Sequence, residues 1–129
     1  MHALEGVRVI DFGQYLAGPF GPMIIGDLGA DVIKVEPPAG DYVRRMTWPI
    51  VEGTSLMHLH VNRGKRSVVA DFRDPADLAF VRALIADADV VIENMRPGVC
   101  DRLGIGYEAV RAVNPRIVYC SIEPSPVCR

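Results

Sequence analysis

Short apolar runs alternate along the chain with segments of helical period. The runs are rich in β-branched residues and lie at residues 7–12, 31–36, 67–71, 89–93 and 117–122. Their length and composition are typical of buried parallel strands. Helical patterns lie between them at residues 22–28, with a first turn that reaches back to Pro19, and at residues 75–88 and 107–114. The alternation predicts an α/β, Rossmann-like fold with a mainly parallel sheet and flanking helices.

The ends of two helices carry recognisable signals. Asp74 precedes Pro75, so it is expected to cap the second helix, and Gly29 is expected to end the first in a left-handed conformation. The predicted apolar face of the first helix is Met23, Ile24, Ile25 and Leu28. That of the second is Leu78, Phe80, Val81, Leu84 and Ile85. Residues 37–54 lack a clear period and predict a long loop with room for a short helix.

The composition and charge of the chain argue against several classes of partner and binding site. The chain has 129 residues, half of them apolar, which is enough for one folded unit with a single core. A net charge of −2 without charged blocks argues against nucleic-acid and membrane-surface partners. The start of the chain lacks a signal-peptide pattern, so we expect a cytoplasmic protein. Cys100, Cys120 and Cys128 form no metal-binding spacing, and we expect no metal and no disulfide framework.

The segment YLAGPFG, residues 15–21, follows the first strand where a dinucleotide-binding loop would lie. Glu36, at the end of the second strand, stands where an acid would bind ribose hydroxyls. The spacing disagrees, because Tyr15 and Leu16 occupy positions where the backbone must approach a pyrophosphate. The glycines can instead serve only the turn and the packing of the helix.

Three long segments resemble one known family. They are LEGVRVIDFGQYLAGPFGPMIIGDLGADVIKVEPPAGD, NRGKRSVVADFRDPAD and ADVVIENMRPGVCDRLGIGYEAVRAVNPRIVYCSI. Together they resemble the N-terminal part of the class III coenzyme A (CoA) transferases, the CaiB/BaiF family, over residues 4–122. That family also contains the alpha-methylacyl-CoA racemases. The resemblance implies transfer of CoA from an acyl-CoA to a carboxylate, with acyl-CoA as substrate, and an interlocked homodimer.

The resemblance also implies which residues bind CoA. Tyr15, Leu16 and Ala17 would lie beside the thioester, Ala70 and Phe72 near the adenine, and Asn94 and Met95 along the pantetheine. Arg73 and Arg102 would bind phosphates, which arginine contacts in a two-pronged way. Taken alone, both arginines are typical of exposed charges, and Asn94 of a side chain that caps the following turn.

Three other polar residues lie near this predicted site. Lys65 and Arg66 are either an exposed pair or part of the phosphate surround. Asp11 is expected to accept hydrogen bonds from backbone amides of the loop that follows it.

The chain departs from the family pattern at several positions. Leu16 stands where the oxalate-using branch has glutamine, and Pro37 where that branch has arginine, so a general acyl-CoA substrate fits better. The resemblance places the nucleophilic aspartate beyond residue 122, so no catalytic residue is assigned. Residues 1–122 are predicted to form an N-terminal segment of the large domain, and residues 123–129 a divergent tail.

These departures predict a truncated CoA transferase that is inactive alone. The alternatives are a fragment of a racemase and a non-catalytic CoA-binding or interaction module.

Overall fold

The architecture is an α/β sheet flanked by helices, as the computed structural model of the chain shows for residues 1–46, 48 and 50–123. The main sheet contains β1 Arg8–Asp11, β2 Asp31–Glu36, β5 Arg66–Val69, β6 Val90–Glu93 and β7 Val118–Ser121. The helices are α1 Ala17–Asp27, α2 Leu56–Val61, α3 Pro75–Ala86, α4 Val99–Leu103 and α5 Tyr107–Val113. A 3-10 helix, Tyr42–Arg45, and a small hairpin of β3 Ile50–Val51 and β4 Thr54–Ser55 lie between β2 and α2.

The strand order explains where a ligand can bind. The five strands are parallel and are arranged β5-β2-β1-β6-β7. This order matches the first five positions of a doubly wound sheet. The chain adds strands on one side of β1 and then, from β6, on the other, so the order reverses between β1 and β6. The predicted fold class is confirmed.

The core has two layers, one on each face of the sheet. Ile10 and Val91 face a cluster that includes Val81 of α3, and Ile105 lies in the same cluster. Val9 and Ile92 face the opposite side, where Ile25 of α1 packs on the sheet. Because both faces of the central strands are covered, their sequences are apolar at almost every position rather than alternating.

The helix-end signals are confirmed, but the predicted helix faces are partly wrong. The Asp74 side chain accepts a hydrogen bond from the Ala76 amide at 2.8 Å, and Gly29 has φ +102°. Ile24 of α1, Leu28 at the C-terminal cap of α1 and Phe80 of α3 are each more than 40% exposed. In α1 the buried positions are Gly18, Pro19, Pro22 and Met23. Burial is therefore concentrated in the N-terminal half of the helix, which starts at Ala17.

Two short helices escaped the sequence prediction because five or six residues cannot establish a period. These are α2 and α4. Ser55 caps α2 by accepting a hydrogen bond from the His58 amide at 3.1 Å. The short helix allowed for in residues 37–54 is present as Tyr42–Arg45. No helix in the described part of the chain combines the length and apolar character needed to cross a membrane.

Most of the predicted divergent tail, residues 124–129, lies outside the described residues.

Candidate functional site

A cleft of about 460 Å³ lies at the carboxyl ends of β1 and β6. In doubly wound sheets this point, where the strand order reverses, is where ligands bind. The lining residues come from the loop after β1, from the ends of β2 and β6, from the segment after β5, and from α4. They are Gln14, Tyr15, Val35, Pro37, Phe72, Asn94, Met95, Arg96, Val99 and Leu103.

The cleft brings together four of the nine residues implied by the resemblance. They are Tyr15, Phe72, Asn94 and Met95. Arg96 also lines the cleft, and sequence reasoning missed it although it belongs to the motif that follows β6. The sequence did contain a signal for Arg96, because it is a cationic residue shortly after the end of a strand.

Two further residues of the predicted set face a different surface. Leu16 and Ala17 line a second, apolar groove of about 450 Å³. Its other lining residues are Phe20, Met57, His60 and Val61. The loop after β1 therefore separates the cleft from this groove. Tyr15 lines the cleft, and Leu16 and Ala17 line the groove.

The remaining three residues do not line the cleft. Ala70 is 1% exposed and belongs to the core. The Arg73 guanidinium is exposed and binds the Asp71 carboxylate at 2.9 and 2.8 Å. Hydrogen bonds from Arg73 lower the pKa of Asp71 to about 2. Arg102 is an exposed residue of α4. Each arginine is nevertheless a chain neighbour of a lining residue, Phe72 or Leu103 respectively.

Asn94 fixes the loop rather than capping the turn that follows it. Its side-chain oxygen accepts a hydrogen bond from the Gln14 amide at 2.8 Å, and its side-chain nitrogen donates to the Gln14 carbonyl at 2.9 Å. The turn-capping interpretation of Asn94 is wrong in this respect. Among the described residues, the second side-chain N–H of Asn94 has no hydrogen-bond partner.

Lys65 is neither an exposed charge nor part of a phosphate surround. Its ammonium group is 2.7 Å from the Asp11 carboxylate, and both side chains are at most 2% exposed. It also donates to the Pro19 carbonyl at 2.8 Å. Asp11 accepts the Gly13 amide at 2.7 Å, as predicted. Arg66 is exposed and pairs with Asp31.

Burial of the Lys65–Asp11 pair shifts both groups towards their neutral forms. Burial raises the pKa of Asp11 and lowers the pKa of Lys65, while the hydrogen bond and the charges of the pair oppose both shifts. Lys65 has three oxygen acceptors, in Asp11, Pro19 and Asn62, so every proton of its ammonium group can be bound. These hydrogen bonds oppose the effect of burial and favour the charged forms of Lys65 and Asp11.

A second buried ion pair lies under the same loop. Lys34 of β2 is 2.8 Å from the Asp41 carboxylate, and the two side chains are 2% and 0% exposed. Lys34 also donates to the Gly13 carbonyl at 2.6 Å. The Tyr15 amide donates to Asp41 at 3.1 Å. The loop backbone is thus bound by side chains that are distant in the chain.

Glu36 is not free to bind a ribose. Arg44 donates to both of its oxygens at 2.7 Å, and the Asp41 amide and the Ser67 hydroxyl each donate at 2.9 Å. Four donors match the roughly four acceptor positions of a carboxylate. One of the features that favoured a dinucleotide, the Glu36 carboxylate, is therefore already hydrogen-bonded within the protein.

Two glycines of the loop, Gly13 and Gly18, serve close packing, whereas a Cβ on Gly21 would meet no atom within 4 Å. A Cβ on Gly18 would lie 2.6 Å from the Gly13 Cα and 2.8 Å from the Asn94 Cγ. The backbone of α1 therefore meets the loop and β6 at a distance that only glycine permits. Within the described ranges, no three His, Cys, Asp or Glu side chains are placed to hold a metal ion.

Comparison with known proteins gives a consistent result. The family model of CoA-transferase family III matches residues 4–124. A succinyl-CoA:glutarate CoA-transferase of Mus musculus is 47% identical over 123 residues, which is 95% of this chain and 28% of that protein. An acetyl-CoA:oxalate CoA-transferase of Acetobacter aceti is 46% identical over 117 residues, which is 91% of this chain and 30% of that protein.

The fold comparison agrees. A CaiB/BaiF family protein from Brucella suis has a crystal structure that superposes with a TM-score of 0.86 and 46% identity. The match covers 93% of this chain and 33% of that protein. The chain thus spans about a third of the length of the relatives it matches.

Proposed function

Because the chain belongs to CoA-transferase family III, we propose that it forms the CoA-binding part of an enzyme that transfers CoA from an acyl-CoA to a carboxylate. The observation that carries this proposal is the cleft at the reversal of strand order, which contains Tyr15, Phe72, Asn94 and Met95. The cleft is the proposed site of the thioester end and the pantetheine arm.

The chemistry of the cleft wall suits this ligand. Met95 and Leu103 offer apolar contacts for the methylene groups of pantetheine, and Phe72 offers an aromatic ring for the adenine. The amides of pantetheine need a few polar partners. The second side-chain N–H of Asn94, which is unpaired within the described ranges, and the guanidinium of Arg96 can supply them.

The phosphates of CoA require cations at the margin of the cleft. Arg96 lines it, and Arg73 and Arg102 each adjoin a lining residue in the chain. Arg73 is held by Asp71 in an exposed position, so binding a phosphate requires it to leave or share that partner. We assign Arg73 and Arg102 to the phosphates and Tyr15 to the thioester, whereas Leu16 and Ala17, which the resemblance also placed there, line the separate groove. Ala70 belongs to the buried cluster against which Phe72 packs, and we assign it to the support of the adenine side.

The proposed reaction begins when an aspartate carboxylate attacks the thioester carbon and expels the CoA thiolate, which leaves an acyl-aspartyl anhydride. The thiolate then attacks the aspartyl carbon, releases the free acid and forms an aspartyl-CoA thioester. Asp11 cannot supply this nucleophile, since it is fully buried and paired with Lys65. We propose that the nucleophile is not in this chain, and that residues 1–122 alone bind CoA without transferring it.

The homodimeric assembly and the cytoplasmic location of the protein stay predictions.

Titration calorimetry of the chain with CoA tests the proposal. We expect binding of CoA and of acetyl-CoA, and no comparable binding of NAD. Arg73→Ala and Arg102→Ala should each weaken CoA binding about tenfold, the worth of one charge-assisted phosphate contact. Dephospho-CoA lacks the 3'-phosphate and so identifies the arginine that binds this group. Substitution of that arginine should not weaken the binding of dephospho-CoA.

Arg116→Ala is the matched control. Arg116 is an exposed arginine just before β7, at the opposite edge of the parallel sheet, so its removal should leave the affinity unchanged. A sample that is folded by circular dichroism and gives no heat with CoA would overturn the proposed function. Binding of NAD as tight as that of CoA would do the same.

A further inference from the structure

Tyr15 adopts a backbone conformation that bulky side chains avoid. Its φ is +69°. Among the described residues other than glycine, only Tyr15 and Glu52 have positive φ. Glu52 lies in the tight turn between β3 and β4 and is followed by Gly53, which also has positive φ, so the hairpin accounts for it. No hairpin accounts for Tyr15, so contacts with other parts of the fold must hold it.

The Lys34–Asp41 pair supplies such contacts at the Tyr15 amide and in the backbone that precedes it. Asp41 accepts the hydrogen bond of the Tyr15 amide at 3.1 Å. Lys34 binds the Asp41 carboxylate at 2.8 Å and donates to the Gly13 carbonyl at 2.6 Å. One buried ion pair thus fixes the backbone on both sides of Gln14, whose own amide and carbonyl are bound by Asn94.

Asp41 is itself fixed in place. Its amide donates to Glu36 at 2.9 Å, and its carboxylate accepts the Val43 amide at 3.1 Å at the start of the 3-10 helix. Both members of the Lys34–Asp41 pair are removed from water. A buried charge without its partner is costly, so the pair tolerates little change in geometry.

These contacts hold the loop after β1 so that Tyr15 lies at the cleft. Its side chain is 46% exposed and forms part of the cleft wall. An exposed loop residue without long-range contacts would relax to negative φ, and its side chain would leave this position.

We propose that Lys34 and Asp41 are positioning residues that hold Tyr15 in its left-handed conformation at the cleft wall, so that this wall is formed before the ligand binds. The proposal rests on the proposed function for the identity of the ligand, an acyl-CoA. The conformational part stands on the contacts of the loop alone.

Amide hydrogen exchange of the unaltered chain, followed by NMR, gives the first test. The Tyr15 amide should exchange at least about a hundred times more slowly than amides of exposed turns such as Gly64, because a buried carboxylate accepts it. A Tyr15 amide that exchanges as fast as an exposed turn overturns the proposal, and this measurement needs no variant.

The second test is the double variant Lys34→Gln with Asp41→Asn, which removes both charges so that neither is left buried alone. We expect exchange at Tyr15 to accelerate about tenfold or more while the sheet amide of Phe12, bound to the Ile92 carbonyl at 2.8 Å, keeps its rate. The affinity for acetyl-CoA should fall about tenfold, since the loop is then ordered only on binding.

Asp31→Asn is the control, because it removes a carboxylate from an exposed ion pair at the other end of β2. It should change neither measurement. If the double variant keeps the exchange rate at Tyr15, or binds acetyl-CoA as tightly as the unaltered chain, the positioning role is refuted. If the unaltered chain binds no CoA at all, the proposed function fails, whereas the exchange results still decide whether the pair holds Tyr15.

Discussion

The Glu36 carboxylate should make the stability of the chain depend on acidic pH in a defined way. Burial alone raises the pKa of Glu36, but hydrogen bonds from Arg44, the Asp41 amide and Ser67, with the charge of Arg44, outweigh it and lower the pKa from 4.5 to about 2. Glu36→Gln removes the charge and keeps nearly the same shape. The variant therefore isolates this titration.

The size of the effect follows from the two pKa values. The difference is about 2.5 units, and at 1.36 kcal/mol per unit the ionised Glu36 stabilises the fold by about 3 kcal/mol. Because the pKa is lower in the folded state, this contribution is complete above the unfolded value of 4.5 and is lost as pH falls through about 2. About 2 kcal/mol of it should be gone by pH 3.

Urea unfolding of the chain and of the Glu36→Gln variant between pH 7 and pH 3 measures this effect. The difference in the free energy of unfolding between the two proteins should shrink by about 2 kcal/mol over that range. Asp31→Asn, which alters an exposed ion pair, should change the free energy of unfolding by less than about 1 kcal/mol. A difference between Glu36→Gln and the unaltered chain that stays constant with pH would refute the reasoning.

Three further predictions concern packing and thiol reactivity. Gly18→Ala should cost about 1–3 kcal/mol in urea unfolding and weaken CoA binding, because the new Cβ would lie 2.8 Å from the Asn94 Cγ; unchanged values would contradict this. Ile105→Ala, at a fully buried position, should cost about 2–5 kcal/mol by the same assay, and a cost near zero would place Ile105 outside the core. A maleimide at neutral pH should label Cys120, which is exposed, well before Cys100, which is buried and has a pKa raised by burial to about 11; peptide mass mapping that finds the reverse order would contradict the structure.

The sequence predicted the secondary structure best where a segment carries its own signal. The five strands were predictable because each is a short apolar run rich in β-branched residues, although only β1, β2 and β6 are buried and the edge strands β5 and β7 are largely exposed. The start of α3 was predictable because Asp74 and Pro75 are adjacent. The exposed side chains of Ile24 and Phe80 were not predictable, because a short helix with apolar residues on several sides does not specify which side faces the sheet.

The candidate site was predicted in part. The resemblance named Tyr15, Phe72, Asn94 and Met95, and the fold brings all four to one cleft. The resemblance did not name Arg96. It assigned Leu16 and Ala17 to the thioester together with Tyr15, although these two residues face a separate groove. Tyr15, whose backbone is left-handed, lies where the chain passes from the cleft to the groove.

The sequence by itself determined the α/β class, the order of the elements and the family, because these depend on local apolar runs, helix ends and unbroken motifs. Only the tertiary structure decided the roles of the charged residues around the loop. Lys65 meets Asp11 across 54 positions of the chain, and Asn94 meets Gln14 across 80. Such contacts follow from the order of the strands in the sheet, which brings distant strand ends together, and no local pattern of residues encodes them.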